Sequence, residues 1–299
     1  MRTSCVKVLI IGKGYVGTYL YNKLKEVESA GEPVRVECVQ SSEFDYTDPS
    51  LIEKKLYRGK YSSFPRYDYV INCAGFTGRP NVDEGELKKD LCYKLNTYVP
   101  LNIANLCKIH NINYIHISSG CIYTGYQKAW TEDDEPNFGF YDEESSTYSK
   151  SKHAFEIACP QGLILRVRMP FCDSLHERNY MTKLKNYDRL VQYRNSKTYI
   201  TELVKFIEEI VCEERQLKEK DIVNFVNDRP LITSEVTELM THYGIGNPNW
   251  EFIDIEELDL KANRSNCTLS TKKLKEKYDF ELMSERVAIK LALVNMSNE

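Results

Sequence analysis

Short apolar runs along the chain alternate with longer amphipathic stretches. Val6–Ile11 is an apolar run broken only by Lys7, as expected of a strand buried on both faces of a parallel sheet. Residues 15–29 then carry apolar positions at helical spacing (Val16, Tyr19, Leu20, Leu24, Val27) and close near Gly31. A second strand is expected over 33–39, and Asp48-Pro49 supplies an N-cap and first turn for a helix through Leu56. The run 67–73 is another buried strand. A long helix around 91–108 and a strand over 114–118 follow. Residues 126–147 are polar and acidic, hold Pro136 and Gly139, and read as a loop.

A helix over 148–158 and a strand over 163–167 continue the alternation, which implies a parallel sheet with right-handed crossovers. Beyond 168 the pattern loosens, with helices expected over 199–213, 234–243, 271–280 and 284–294 and a strand over 222–226. The fold class is therefore α/β, a Rossmann-type doubly wound parallel sheet with a smaller C-terminal substrate-binding lobe. Residues 1–167, rejoined by 197–227, are expected to form the nucleotide-binding domain, and 168–196 with 228–299 the lobe.

Composition narrows the function classes. A net charge of −4 with mixed signs gives no field to gather nucleic acid or anionic lipid. No apolar run approaches the ~20 residues needed to span a bilayer, and the N-terminus shows no signal-peptide core. The ten cysteines are scattered without a C-x-x-C pair, so reduced thiols in a cytoplasmic protein are expected, and the sequons at Asn263, Asn266 and Asn295 are set aside. No metal is expected, because no Cys/His cluster has ligand spacing.

Gly12-Lys13-Gly14-Tyr15-Val16-Gly17 has the G-x-G-x-x-G form between a strand and a helix. Its glycines suit a tight turn, a close approach of backbone to a pyrophosphate and close helix packing. A carboxylate about 20 residues on would bind the ribose of NAD. Here the second strand ends Gln40-Ser41-Ser42, and with Lys13 these residues suit the 2′-phosphate of NADP; Asp45 and Tyr46 suit the adenine edge. Further cofactor positions are expected at Cys73, Ala74 and Gly75, at Asn96 and at Pro170.

Tyr148 and Lys152 stand one helical turn apart, and a nearby ammonium lowers a phenol's pKa. The same spacing occurs at Tyr19/Lys23, Tyr21/Lys25 and Tyr193/Lys197, but only Tyr148/Lys152 follows a strand whose end carries Ser119. Ser119, Tyr148 and Lys152 together resemble the triad of the extended short-chain dehydrogenase/reductases. Cys121, two residues past Ser119, is expected on the same strand face and so toward the substrate.

Gly78-Arg79-Pro80-Asn81-Val82-Asp83, Gly120-Cys121-Ile122-Tyr123, Glu135-Pro136-Asn137-Phe138, Leu165-Arg166-Val167-Arg168-Met169-Pro170 and Arg264-Ser265-Asn266 resemble the nucleotide-rhamnose synthase/epimerase-reductase family of plants and giant viruses. The resemblance implies a 3,5-epimerase/4-keto reductase that turns UDP-4-keto-6-deoxy-D-glucose into UDP-L-rhamnose with NADPH. It implies Cys121 and Lys183 as the epimerising pair, with Ser119 and Tyr148 on the C4 oxygen. Arg79, Asn81, Asn179 and Arg264 are the expected further substrate contacts, the last two for the diphosphate. A homodimer through 84–108 and 148–158, and a separate upstream 4,6-dehydratase, are also implied. The chain departs from the family's Thr-Gly-Cys at Ser119 and in the acidic loop Tyr141-Asp142-Glu143-Glu144. The competing expectations are a dTDP-4-dehydrorhamnose reductase without epimerase activity and a non-catalytic NADP-binding subunit.

Overall fold

In the computed structural model, which describes residues 5–57, 66–79 and 81–297, the apolar runs become strands that share one sheet. The parallel strands are β1 (Val6–Ile11), β2 (Val34–Val39), β3 (Tyr69–Asn72), β4 (Asn113–Ser119), β6 (Gly162–Val167) and β8 (Lys220–Asn224), ordered β2-β1-β3-β4-β6-β8. Short pieces lie apart from it: β5 (Gly125–Trp130) pairs with β10 (Cys267–Leu269), and β7 (Arg189–Val191) with β9 (Glu251–Ile253).

Alternation along β1 feeds both sides of the sheet. Val6, Val8 and Ile10 face one helical layer, made by α1 (Tyr15–Ser29) and α8 (Ile200–Cys212). Leu9 and Ile11 face the other, made by α2 (Pro49–Leu56), α5 (Val99–Ile109) and α6 (Thr147–Ala158). The order runs outward in both directions from β1, so a crevice opens between the carboxyl ends of β1 and β3. The lobe has its own core, with Met181 and Leu184 of α7 (Tyr180–Asn186), Val236 and Leu239 of α9 (Thr233–His242), and Ile289 and Leu293 of α11 (Glu285–Ser297). The helix α10 (Lys272–Tyr278) sets Leu274 against the main sheet's core instead.

Local chemistry explains the caps. The Asp48 side chain accepts from Ser50 N at 2.8 Å and Leu51 N at 3.4 Å ahead of Pro49, and the Ser146 hydroxyl accepts from Ser149 N to start α6. Two buried ion pairs brace the frame. Arg166 on β6 meets Glu156 on α6 at 2.8 Å, and Lys197 meets Glu285 of α11 at 2.6 Å.

The structure departs from the sequence reading at 126–147 and at the helix expected around 91–108. Residues 126–147 are not loop throughout, because β5 runs into them with most of its side chains exposed. The helix expected around 91–108 is split into α4 (Lys89–Tyr93) and α5 by a π-helical turn at Lys94–Tyr98, preceded by the short α3 (Asp83–Leu87). Pro80, within the Gly78–Asp83 run, lies outside the described residues. Among those residues no helix is long and apolar enough to cross a membrane, and no cluster of His, Cys, Asp and Glu is placed to hold a metal.

Candidate active site

The glycine run forms a cradle at the mouth of the crevice. Gly12 has φ +97, and a Cβ there would stand 2.6 Å from Ala74 N; a Cβ on Gly17 would stand 1.9 Å from Gly12 O. Gly14 instead faces open space, and α1 begins there with no side-chain cap. A dinucleotide's pyrophosphate fits this arrangement: uncapped amides at a helix start, with backbone bare of side chains above them. The Lys13 ammonium lies 5.4 Å over the Tyr21 ring and also acts on Cys38 near the end of β2. Beyond β2, Ser41 and Ser42 are exposed, while Gln40 donates to Glu43, a carboxylate in this turn that the sequence reading does not use.

Other expected cofactor positions are committed within the protein. Asp45 accepts from both the backbone and the hydroxyl of Thr47, and Tyr46 packs against the core behind it. Asn96, buried in the π-helical turn, accepts from Phe76 N at 2.7 Å and donates to Phe76 O at 2.9 Å. It shapes the loop after Cys73, Ala74 and Gly75 rather than offering a free amide. Tyr15 stacks on His176 with ring centroids 4.5 Å apart, and Val16 packs on the core. Met169, at φ +36, turns the chain at the end of β6 and leads into the half-buried Pro170.

Ser119, Cys121, Tyr148 and Lys152 converge at the carboxyl end of β4 and α6's first turns. The strand β4 stops at Ser119, so the face alternation invoked for Cys121 does not reach it; a turn carries it instead, its N–H donating to Ser119 Oγ at 3.2 Å. The thiol is still close enough to act on the Tyr148 phenol. Burial first and Cys121 second push that phenol above its ordinary range, against the Ser119 hydroxyl and Arg178, which lower it. The expectation that Lys152 would pull the phenol down is not met. Its ammonium donates to Ile117 O at 3.3 Å and lies against Gly75, and burial lowers its own pKa to about 8.

Lys183, on α7, borders two adjoining cavities. One of about 500 Å³ also meets Arg79, Glu177 and Arg178; one of about 640 Å³ meets Asn81, Tyr187 and Arg264. Neither is lined by Ser119, Cys121 or Tyr148. Arg264 is anchored by Asp83 at 2.8 Å, and Arg79 pairs loosely with Glu177 at 3.7 Å. Asn179 is placed otherwise than expected. It is buried, caps α7 through Met181 N, and spends its amide on Cys172 O and Ser174 O, which leaves no donor for a diphosphate.

Sequence reasoning misses Arg178. Bonded to Thr77 Oγ1, it acts on both Tyr148 and Lys183, lowering each, so it bridges the phenol and the cavities electrostatically. Nothing in its local sequence marks it, since the link runs across 101 positions.

Comparison with known proteins places the chain among nucleotide-sugar enzymes by sequence and fold. The family model described as RmlD substrate binding domain matches residues 6–298. A bifunctional dTDP-4-dehydrorhamnose 3,5-epimerase/reductase of Arabidopsis thaliana is 32% identical over 228 residues, covering 72% of this chain and 73% of that protein. The trifunctional UDP-rhamnose enzymes of the same plant reach 31% identity, but the chain spans only about a third (34%) of their length. The crystal structure of a mimivirus UDP-rhamnose synthase superposes with a TM-score of 0.82 at 27% identity, covering 98% of this chain and 100% of that one.

Proposed function

The chain belongs to the RmlD substrate binding domain family, and on that premise we propose that it inverts C3 and C5 of UDP-4-keto-6-deoxy-D-glucose and reduces C4, giving UDP-L-rhamnose. The observation that carries this reading is the thiol of Cys121 beside the Ser119–Tyr148 pair, where a simple ketoreductase needs no thiol. Ser119 and Tyr148 hold the C4 oxygen, first as the enolate formed when the ketone-acidified C3 or C5 loses its proton, then as the ketone that is reduced. Cys121 and Lys183 move the protons at those carbons. Tyr148 gives its proton to the C4 oxygen as the alcohol forms, which suits a phenol kept protonated by burial.

NADPH, when bound, supplies the hydride for C4. Gly12, Gly14 and Gly17 would hold its pyrophosphate and Lys13 its 2′-phosphate, with Lys152 on the nicotinamide ribose. A dTDP-4-dehydrorhamnose reductase from Bacillus anthracis, of like fold but 18% identical, is in complex with NADP. Arg264, Asn81 and Arg79 remain the substrate-binding set, joined by Arg178, and Asn179 drops to a structural role. The homodimer through 84–108 and 148–158 is supported by Leu87, Leu91, Tyr98 and Ile157, exposed within those segments. A separate 4,6-dehydratase supplies the keto sugar.

One observation favours a second reading, a plain 4-dehydrorhamnose reductase: the cavities bordered by Lys183 are not lined by Cys121. The first test is NADPH consumption with UDP-4-keto-6-deoxy-glucose. Turnover by the wild type and none by Tyr148→Phe supports the proposal; no consumption with that sugar, but turnover of the epimerised dTDP-sugar, supports the second reading.

A further inference from the structure

Helix α6 carries Tyr148 as its second residue, yet its first turn holds no acidic side chain of its own. The carboxylate comes from α3, 61 positions earlier. Glu86 accepts from Thr147 N at 2.6 Å with Oε1 and from Thr147 Oγ1 at 2.7 Å with Oε2. One of the free amides at the helix start is thereby satisfied, and a negative charge stands at its positive end. Because both oxygens grip one residue, the peptide leading into Tyr148 is fixed in rotation as well as in place.

This hold goes beyond capping. Asp48 caps α2 from within its own segment, and Ser146 already does the same for α6 by accepting from Ser149 N. Glu86 adds a second constraint, at the residue next to the phenol.

Helix α3 is itself anchored. Asp83 accepts from Ala262 N at 2.9 Å and pairs with Arg264 at 2.8 Å, and Glu84 accepts from Arg79 N at 2.7 Å. Gly85 brings the two backbones together, since a Cβ there would stand 3.9 Å from Tyr148 N and 3.7 Å from Cys92 Sγ. The cation beside Glu86, the exposed Lys89, is 3.9 Å away, too loose to draw the carboxylate off Thr147. From the other side, Ser149 donates to Cys121 O, and Ser151 donates to Tyr148 O at 2.8 Å. The first turn of α6 is thus clamped between α3 and the Cys121 turn.

We propose that Glu86 is a positioning residue: by holding Thr147 it aims the Tyr148 phenol at the C4 oxygen. The proposal rests on the reading above in which Tyr148 gives its proton to that oxygen. Glu86 itself exchanges no proton with the substrate. A misplacement of about 1 Å at a reacting group costs up to about a hundredfold in rate.

The test is steady-state reduction by the full chain, with UDP-4-keto-6-deoxy-glucose and with the epimerised dTDP-4-keto sugar. Each rate is divided by the concentration of sites that bind NADPH in a fluorescence titration. Glu86→Ala lowers kcat per site about tenfold or more and leaves KM for the sugar within about threefold. Glu86→Gln restores kcat to within about threefold of wild type, because its carbonyl accepts from Thr147 N and its amide donates to Thr147 Oγ1. A carboxylate that only stabilised the fold would change the melting temperature and the number of sites, but not kcat per site. A wild-type kcat per site in Glu86→Ala therefore overturns the proposal, as does a Glu86→Gln no faster than Glu86→Ala. Should Glu86→Ala not fold, Thr147→Val decides. It keeps the amide bond and loses the hydroxyl bond, and its kcat per site falls about threefold or more; an unchanged value overturns the proposal. Wild-type turnover of the epimerised sugar alone removes the epimerase reading and leaves the Glu86 comparison standing on that sugar.

Discussion

Lys152 points its ammonium at the Ile117 carbonyl, 3.3 Å away, and not at the Tyr148 phenol one turn earlier on α6. Without a carboxylate partner, the charge sits inside the sheet at a cost, which its lowered pKa of about 8 records. Below about pH 8 folded and unfolded chains both hold this proton and the folded chain bears the full penalty. Between about 8 and the ordinary 10.5 the unfolded chain holds more protons, so stability rises with pH. Lys152→Met therefore stabilises the protein at pH 7 by about 2 kcal/mol while abolishing reduction. The gain fades as pH climbs to 10.5, which denaturant melts across that range will check.

The glycines of the cradle separate folding from cofactor binding. Gly17→Ala forces a Cβ to 1.9 Å from Gly12 O and destabilises the fold by about 2 kcal/mol or more. Gly14→Ala meets nothing within 4 Å, so its melting curve stays close to wild type. Its methyl group occupies the space above the start of α1, and NADPH affinity falls about tenfold or more by fluorescence titration.

Behind the site, Glu156 collects Arg166 and the Ser118 hydroxyl, and Arg166 also donates to Tyr123 OH at 2.9 Å. Glu156→Ala strands a buried guanidinium and lowers stability by about 3–5 kcal/mol. The double variant Glu156→Met/Arg166→Met recovers most of that loss, and urea unfolding of the three proteins reads the difference.

Lys13 and Glu43 act with opposite sign on Cys38 near the end of β2, where the cofactor's 2′-phosphate is expected. Lys13→Gln raises KM for NADPH about tenfold with little change for NADH, and Glu43→Gln leaves the preference for NADPH intact. Steady-state kinetics with both cofactors decide this.

Features written in contiguous residues are legible in the amino-acid sequence itself. Val6–Ile11 is a strand because its side chains are almost all apolar, and α2 begins at Asp48-Pro49 because a carboxylate and a missing N–H both suit a helix start. Strands β7, β9 and β10 span three residues each, too few to show a period, and take shape only through pairing at a distance. Site residues divide the same way. Ser119, Tyr148 and Lys152 follow from strand end and helix spacing. Asn96 and Asn179 mislead because nothing in the sequence reveals that nearby backbone has already claimed their amides. Arg178 escapes notice as a functional residue because its partner, Thr77, stands 101 positions away.

Incubation of the wild type and Cys121→Ala with UDP-4-keto-6-deoxy-glucose in D₂O without NADPH tests the central claim most directly. The account predicts deuterium at C3 and C5 from the wild type, and loss of that uptake by about a hundredfold in Cys121→Ala, which still reduces an already epimerised 4-keto sugar. Deuterium incorporated by Cys121→Ala at the wild-type rate contradicts it.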